Sequence, residues 1–233
     1  MEVQIGVAKI NKYASSESGD TLEVVERANG GLSVVLADGQ RSGKSAKRIS
    51  NLVVQKVISL LAEGVRDGAA ARAASDYLYA QRGGKVQSTL NIISFDLVTN
   101  TLVITRNNQA PIYVGHSTDL EVLDEDSQSV GIYRQTRPII NEYDLKPGLT
   151  VIAFSDGLIH AGTRNGKELD LPEELKPLLG GNLLPQQIAD ALLDKAMEVD
   201  EGRPVDDISV VVVSVIKKTG DDVRRMSVRL PLK

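Results

Sequence analysis

Cysteine and tryptophan are absent from this chain of 233 residues, and it has two phenylalanines and two histidines. Without cysteine there can be no disulfide and no thiolate zinc site. Neither His116 nor His160 has a second histidine at ligand spacing, so a surface or packing role is the reading for both, although His160 lies near the acidic site described below. With so few aromatic rings, the core must be aliphatic. No sign of charge dominates: 27 basic against 31 acidic residues leave a net charge of -4. That gives no general electrostatic case for nucleic acid or an anionic membrane as partner. No apolar run approaches the roughly 18 residues of a membrane span. The first ten residues, MEVQIGVAKI, lack a basic segment followed by an apolar one, so no signal peptide is expected and a cytoplasmic location is.

What is present is ordinary globular composition, 42% hydrophobic with 20 glycines and 8 prolines. Glu2 to Ile10 alternates and predicts a strand. Thr21 to Arg27 and Leu32 to Ala37 predict two more, joined by Asn29-Gly30-Gly31, a strong hairpin signal. A hairpin centred there sets Asp38 opposite a residue close to Asp20. Lys44 to Glu63 and Asp67 to Gln81 carry helical apolar spacing. Their apolar faces read as packing against a sheet, with a partner-binding face as the alternative. Strands are expected at Val86 to Val98, Thr101 to Arg106, Pro111 to Val114, Leu120 to Leu123, Ile139 to Leu145 and Leu149 to Phe154. Arg164 to Gly181 reads as irregular with one short helix, and Leu184 to Val199 as an amphipathic helix. Ile208 to Ile216, ISVVVVSVI, is the strongest buried-strand pattern. Residues 217–233 form a basic tail, read as an extra edge strand or an oligomer contact. Meandering strands with paired helices and no simple βαβ alternation predict an α+β layered domain over residues 1–216.

The acids sit at the ends of the most apolar strands. Asp38 follows the strand Leu32 to Ala37, Asp156 follows Leu149 to Phe154, and Asp206-Asp207 precede Ile208 to Ile216. If the last strand runs antiparallel to the other two, these carboxylates meet at one edge, and the hairpin adds Asp20. Any one of them alone reads as a turn residue or helix cap. Together they cannot all stay ionised without cations among them. Oxygen-only ligands suit hard ions such as Mg²⁺ or Mn²⁺. Gly39 and Gly157 would let backbone approach an ion closely, and two ions bridged by one aspartate would activate a water for attack on phosphorus.

Several ordered motifs resemble the metal-dependent serine/threonine phosphatases of the type 2C class. The closer resemblance is to their bacterial stage II sporulation E-like branch, which includes the stressosome feedback phosphatases. The motifs are Ser18-Gly19-Asp20, Ala37-Asp38-Gly39-Gln40-Arg41-Ser42-Gly43, Ser88-Thr89-Leu90, Val130-Gly131-Ile132, Phe154-Ser155-Asp156-Gly157-Leu158 and Asp206-Asp207-Ile208-Ser209. The resemblance implies a four-layer α-β-β-α sandwich of two antiparallel sheets flanked by helices. It implies that Asp38 bridges two Mn²⁺ or Mg²⁺ ions and that the Gly39 carbonyl binds one of them. Asp156 and Asp206 complete the second site, with Asp207 supporting it, and Asp20 acts through bound water. The implied activity is dephosphorylation of phosphoserine or phosphothreonine in a regulatory protein of the anti-sigma-antagonist or stressosome type.

Three features depart from the resemblance. Gln40 stands where many relatives carry a histidine, and Arg41 where glycine or alanine is usual. Arg106 to Pro111 replaces a more familiar Asn-Ala-Gly-His turn. Lys9, Lys12, Arg41, Arg134 and Arg137 are the candidates for holding substrate phosphate. The departures motivate an alternative, a non-catalytic module on the same fold that binds a phosphoprotein or scaffold. A small-molecule phosphoester hydrolase is a third reading.

Overall fold

The computed structural model describes residues 1–116 and 119–231. In chain order the elements are β1 (Glu2–Ile10), β2 (Asp20–Glu26), β3 (Leu32–Asp38), α1 (Gly43–Ala62), α2 (Asp67–Arg82), β4 (Leu90–Asp96), β5 (Thr101–Asn107), β6 (Ile112–His116) and β7 (Asp119–Leu123). They continue with β8 (Ile139–Asp144), β9 (Leu149–Phe154), α3 (Leu171–Gly180), α4 (Pro185–Val199) and β10 (Ile208–Ile216). One sheet has the order β1-β10-β9-β6-β7 and the other β2-β3-β4-β5-β8. Every neighbouring pair is antiparallel.

Alternation along the strands assigns the layers. In β10, Val211, Val213 and Val215 enter the core between the sheets, while Ile208, Val210 and Val212 face α3 and α4. In β3, Val34 and Leu36 face the inter-sheet core, while Val35 and Ala37 face α1 and α2. Both strands are therefore buried on two sides, which is why they read as continuous apolar runs. Each such valine or leucine contributes roughly 1.5–3 kcal/mol relative to exposure. The result is the four-layer α-β-β-α sandwich, an α+β fold. A buried ion pair, Arg27 with Asp67, ties the start of α2 to the β2–β3 hairpin. The Arg27 guanidinium also donates to Ser33 Oγ at 3.2 Å and Ser94 Oγ at 3.1 Å.

Some boundaries differ from the sequence reading. The strand expected from Val86 starts at Leu90, because Ser88 instead bridges Gly39 on one side and Val130 on the other. It stops at Asp96, whose carboxylate accepts from the Val98 and Thr99 amides at 2.8 and 3.2 Å and so turns the chain. The short helix expected within Arg164 to Gly181 is α3, capped by Asp170, which accepts from the Glu173 amide. The edge strand considered for the tail does not form: residues 217–231 carry no helix or strand. There Arg224 donates to the Gly30 carbonyl at 3.0 Å and pairs with Glu26. Leu232 and Lys233 lie outside the described residues.

Candidate metal centre

The hairpin register pairs Asp20 directly with Asp38. Alternation then fixes where they face. Asp20 continues the row of Leu22 and Val24, and Asp38 continues the row of Val34 and Leu36, all packed into the inter-sheet core. Both carboxylates thus lie at one end of the sandwich, Asp38 at the cleft and Asp20 buried behind it. A one-residue slip would turn them outward and expose that row.

The backbone of Asp38 is pinned from the neighbouring segment. Its amide donates to Thr89 Oγ1 at 3.1 Å, and its carbonyl accepts from the Thr89 amide at 2.9 Å and Ser88 Oγ at 2.7 Å. Ser88 in turn exchanges two backbone hydrogen bonds with Val130. Gly39 is required by close approach: a Cβ there would lie 2.0 Å from the Ala46 carbonyl oxygen of α1. The Gln40 amide donates to the Gln87 carbonyl at 3.0 Å, and the Gln40 side-chain oxygen accepts from the Gln87 amide at 3.3 Å. Gln40 is therefore a clamp between two loops.

Asp20 is fully buried. One of its carboxylate oxygens accepts from Ser209 Oγ at 2.6 Å, and the other has no partner. A buried carboxylate oxygen left unpaired is costly unless a water or cation completes it. Behind it, Lys9 Nζ and Lys47 Nζ both donate to the Asp20 carbonyl, at 2.6 and 2.7 Å. Desolvation of the ammonium, then the charge of Lys47, lowers the pKa of Lys9, while Asp20, Asp207 and Asp38 oppose the shift.

The other sheet supplies the remaining acids. Asp156 opens a 3-10 turn, Asp156–Leu158, just past β9, and Asp206 and Asp207 precede β10. Because β9 and β10 are antiparallel neighbours, the end of one lies beside the start of the other. Ser155 Oγ accepts from the Ser209 amide at 2.9 Å and so joins the two segments. Gly157 lets them touch, since a Cβ there would meet the Asp207 carbonyl oxygen at 2.1 Å.

The adjacent aspartates differ in their surroundings. Asp207 is buried, and its two oxygens accept from the Lys12 amide at 2.8 Å and the Gly19 amide at 2.7 Å. It holds the loop between β1 and β2 in place. Asp206 instead lines a cleft of about 320 Å³ together with Asp38, Gly39 and Asp156. Of the five candidate cations, Lys12 and Arg41 line the same cleft. Lys9 is committed to the Asp20 carbonyl, and Arg134 stacks over Tyr79, 5.1 Å from the ring centre.

Electrostatics confirm how crowded the acids are. Burial, then the charges of Asp20 and Asp156, pushes the Asp38 carboxyl above the ordinary carboxylate range. Burial also raises Asp20, against the hydrogen bonds of Ser209 and Ser155 and the charge of Lys9. Burial and Asp206 raise Asp156, with His160 acting in the opposite sense. Among the described residues, no three His, Asp or Glu side chains stand in the geometry of a shared ion. The donor set still fits a hard divalent ion, being all oxygen with one buried oxygen unpartnered.

Sequence reasoning missed the pins. Ser88 and Thr89 were legible as a motif but not as supports of the Asp38 backbone. Lys9 had one signal, a cation interrupting an otherwise alternating strand. The Arg106 to Pro111 stretch acts at a distance. Arg106 is fully buried and donates to the carbonyls of Asn108 and Glu125 at 2.7 and 2.6 Å, while Asn107 donates to the Gln128 carbonyl. These bonds hold the loop that brings Ser129 to the cleft. His116 lies in register with Leu149, at the far end of β9 from Asp156.

This sandwich is the fold of the type 2C serine/threonine phosphatases. The structure of the phosphatase domain with a fragment of the regulatory domain of the cell-fate determinant SpoIIE from Bacillus subtilis superposes with a TM-score of 0.80 at 22% identity, covering 94% of this chain and 64% of that one. The Mycobacterium tuberculosis serine/threonine phosphatase PstP/Ppp gives 0.73 at 17% identity, over 93% of this chain and all of that one. The catalytic domain of the phosphatase PstP in complex with two manganese ions gives 0.70 at 16% identity, over 92% of this chain and 99% of that one. The model of the stage II sporulation protein E (SpoIIE) family matches residues 28–216, and the chain belongs to that family. It is 24% identical over 219 residues to stage II sporulation protein E of Bacillus subtilis (strain 168), covering 93% of this chain and 26% of that protein. The counterpart from Priestia megaterium is 22% identical over 218 residues, covering 93% of this chain and 37% of that protein. The chain therefore spans between a quarter and two fifths of the curated relatives it matches. No helix among the described residues is long and apolar enough to cross a membrane.

Proposed function

We propose that residues 1–216 form a Mn²⁺- or Mg²⁺-dependent protein serine/threonine phosphatase. The observation that carries this is that Asp38, whose register partner is the buried Asp20, lines one cleft with Asp156 and Asp206. Asp38 and the Gly39 carbonyl would hold two ions between them, with Asp156 and Asp206 completing the second site. Bound there, the ions would supply an activated water and neutralise the phosphoryl oxygens. Asp20, through its unpartnered oxygen, would orient water at the site. Lys12 is the cation suited to the substrate phosphate, because it lines the cleft with Asp206 and its backbone is anchored to Asp207. Asp207 acts as the clamp rather than a ligand. The substrate would be a phosphorylated regulatory protein of the anti-sigma-antagonist or stressosome type, in a cytoplasmic stress-response or signalling role.

The test is phosphate release from a phosphoserine protein, with Mn²⁺ and with excess EDTA. Release that requires Mn²⁺ and fails in Asp38→Asn and Asp156→Asn is expected. Full activity in EDTA would sink the proposal. Tight binding without release would favour the non-catalytic module, and release from small phosphoesters alone would favour the small-molecule hydrolase.

A further inference from the structure

Arg41 combines three properties found together nowhere else around the cleft. Its backbone has φ of +78°, a left-handed conformation that glycine adopts without strain and arginine does not. Its side chain is exposed and lines the cleft mouth, over a floor that includes Asp38, Asp156 and Asp206. The ion-paired arginines among the described residues are Arg27, Arg106, Arg224 and Arg225, so this guanidinium has no carboxylate of its own. Its stem is also fixed on both sides, by the Gln40–Gln87 clamp before it and the start of α1 at Gly43 after it.

Strain tolerated at a functional cleft points to a task for the side chain that imposes it. A guanidinium is a planar fork matched to carboxylate or phosphate. Lys12 is half-buried in the cleft lining and is assigned the phosphate, whereas Arg41 is exposed in that lining, where polypeptide flanking a bound phosphoserine would pass. We infer that Arg41 is a specificity-determining residue that grips an acidic side chain of the protein substrate next to the phosphoserine. This rests on the phosphatase reading of the cleft and deepens it.

The experiment uses the full chain with Mn²⁺ and two synthetic phosphoserine peptides, one with glutamates on both sides of the phosphoserine and one with glutamines in their place. Wild type is expected to prefer the glutamate peptide about tenfold in kcat/KM, the scale of one charge-assisted hydrogen bond. Arg41→Gly should bring that ratio to about one, and Arg41→Lys should leave an intermediate ratio. The Tm of Arg41→Gly should be no lower than that of wild type, since the strained φ is relieved. Equal use of the two peptides by wild type, or an unchanged preference in Arg41→Gly, would overturn the inference. Equal weakening of both peptides in Arg41→Gly would also overturn it, by assigning Arg41 to the phosphate. Peptide binding by fluorescence anisotropy gives the same ratio without turnover. Loss of turnover with the binding preference intact would therefore count against the phosphatase reading and in favour of Arg41.

Discussion

The two sheets bring their carboxylates to the cleft in different ways. On the β2–β3 side, Asp20 and Asp38 are register partners in one hairpin, and Asp38 is pinned through its backbone by Ser88 and Thr89. On the β9–β10 side, Asp156 sits in a 3-10 turn and Asp206 in the turn before β10, where its one hydrogen bond is from the Asp207 amide. One half of the site is thus built into sheet pairing, while the other hangs from loop ends.

The largest expected effect comes from breaking the fixed half. Asp38→Asn should lower Mn²⁺-dependent phosphate release by more than about 100-fold, the upper end of what loss of an outer-shell partner costs. The same variant should melt no lower than wild type without metal, because burial and the charge of Asp20 already disfavour an ionised carboxylate at that position. An Asp38→Asn protein that releases phosphate at wild-type rates would remove Asp38 from the centre. Next comes the contrast within the adjacent pair. Asp207→Ala strands the buried Gly19 amide and the half-buried Lys12 amide and should cost about 3 kcal/mol, or about 6–12 °C in Tm. Asp206→Asn should leave Tm nearly unchanged and depress activity. If the two variants exchange behaviour, ligand and clamp have been assigned the wrong way round.

Metal and pH sharpen the comparison further. Asp38, Asp20 and Asp156 are raised in the folded protein relative to the ordinary carboxylate value. Raised acids favour folding while protonated, so their contribution to metal-free stability is fully present at acidic pH and is lost as pH rises through their folded pKa values. Ions compete with those protons. Saturating Mn²⁺ should therefore raise Tm more at pH 8 than at pH 6, and equal gains by differential scanning fluorimetry would contradict that ordering. The smallest effect is expected outside the sandwich. Removing residues 217–233 should shift Tm by no more than about 2 °C, since residues 217–231 are almost wholly exposed and outside all three apolar cores.

Much of the fixed half was legible in the sequence. The Asn29-Gly30-Gly31 turn sets the hairpin, and period-2 burial then dictates that Asp20 and Asp38 share a face. β10 was legible for a related reason, since a strand buried on both sides needs unbroken apolar residues. The supports were not. Ser88 and Thr89 act through single hydrogen bonds to a segment about fifty residues away, and such contacts leave no periodicity. Asp206 and Asp207 are chemically identical neighbours, and only the Lys12 and Gly19 amides distinguish them. The approach of α1 behind Gly39 was equally hidden: a Cβ there would collide with the Ala46 carbonyl, while Gly39 still lines the cleft on its other side.

The two lysines behind Asp20 bear on how the fold tolerates so many acids in one place. Lys9 and Lys47 place positive charge against the Asp20 carbonyl from within the chain itself. The ring of acids is therefore partly balanced by the chain's own cations, and the charge that gathers the acids at one end of the sandwich is met from behind by a strand and a helix of the same molecule.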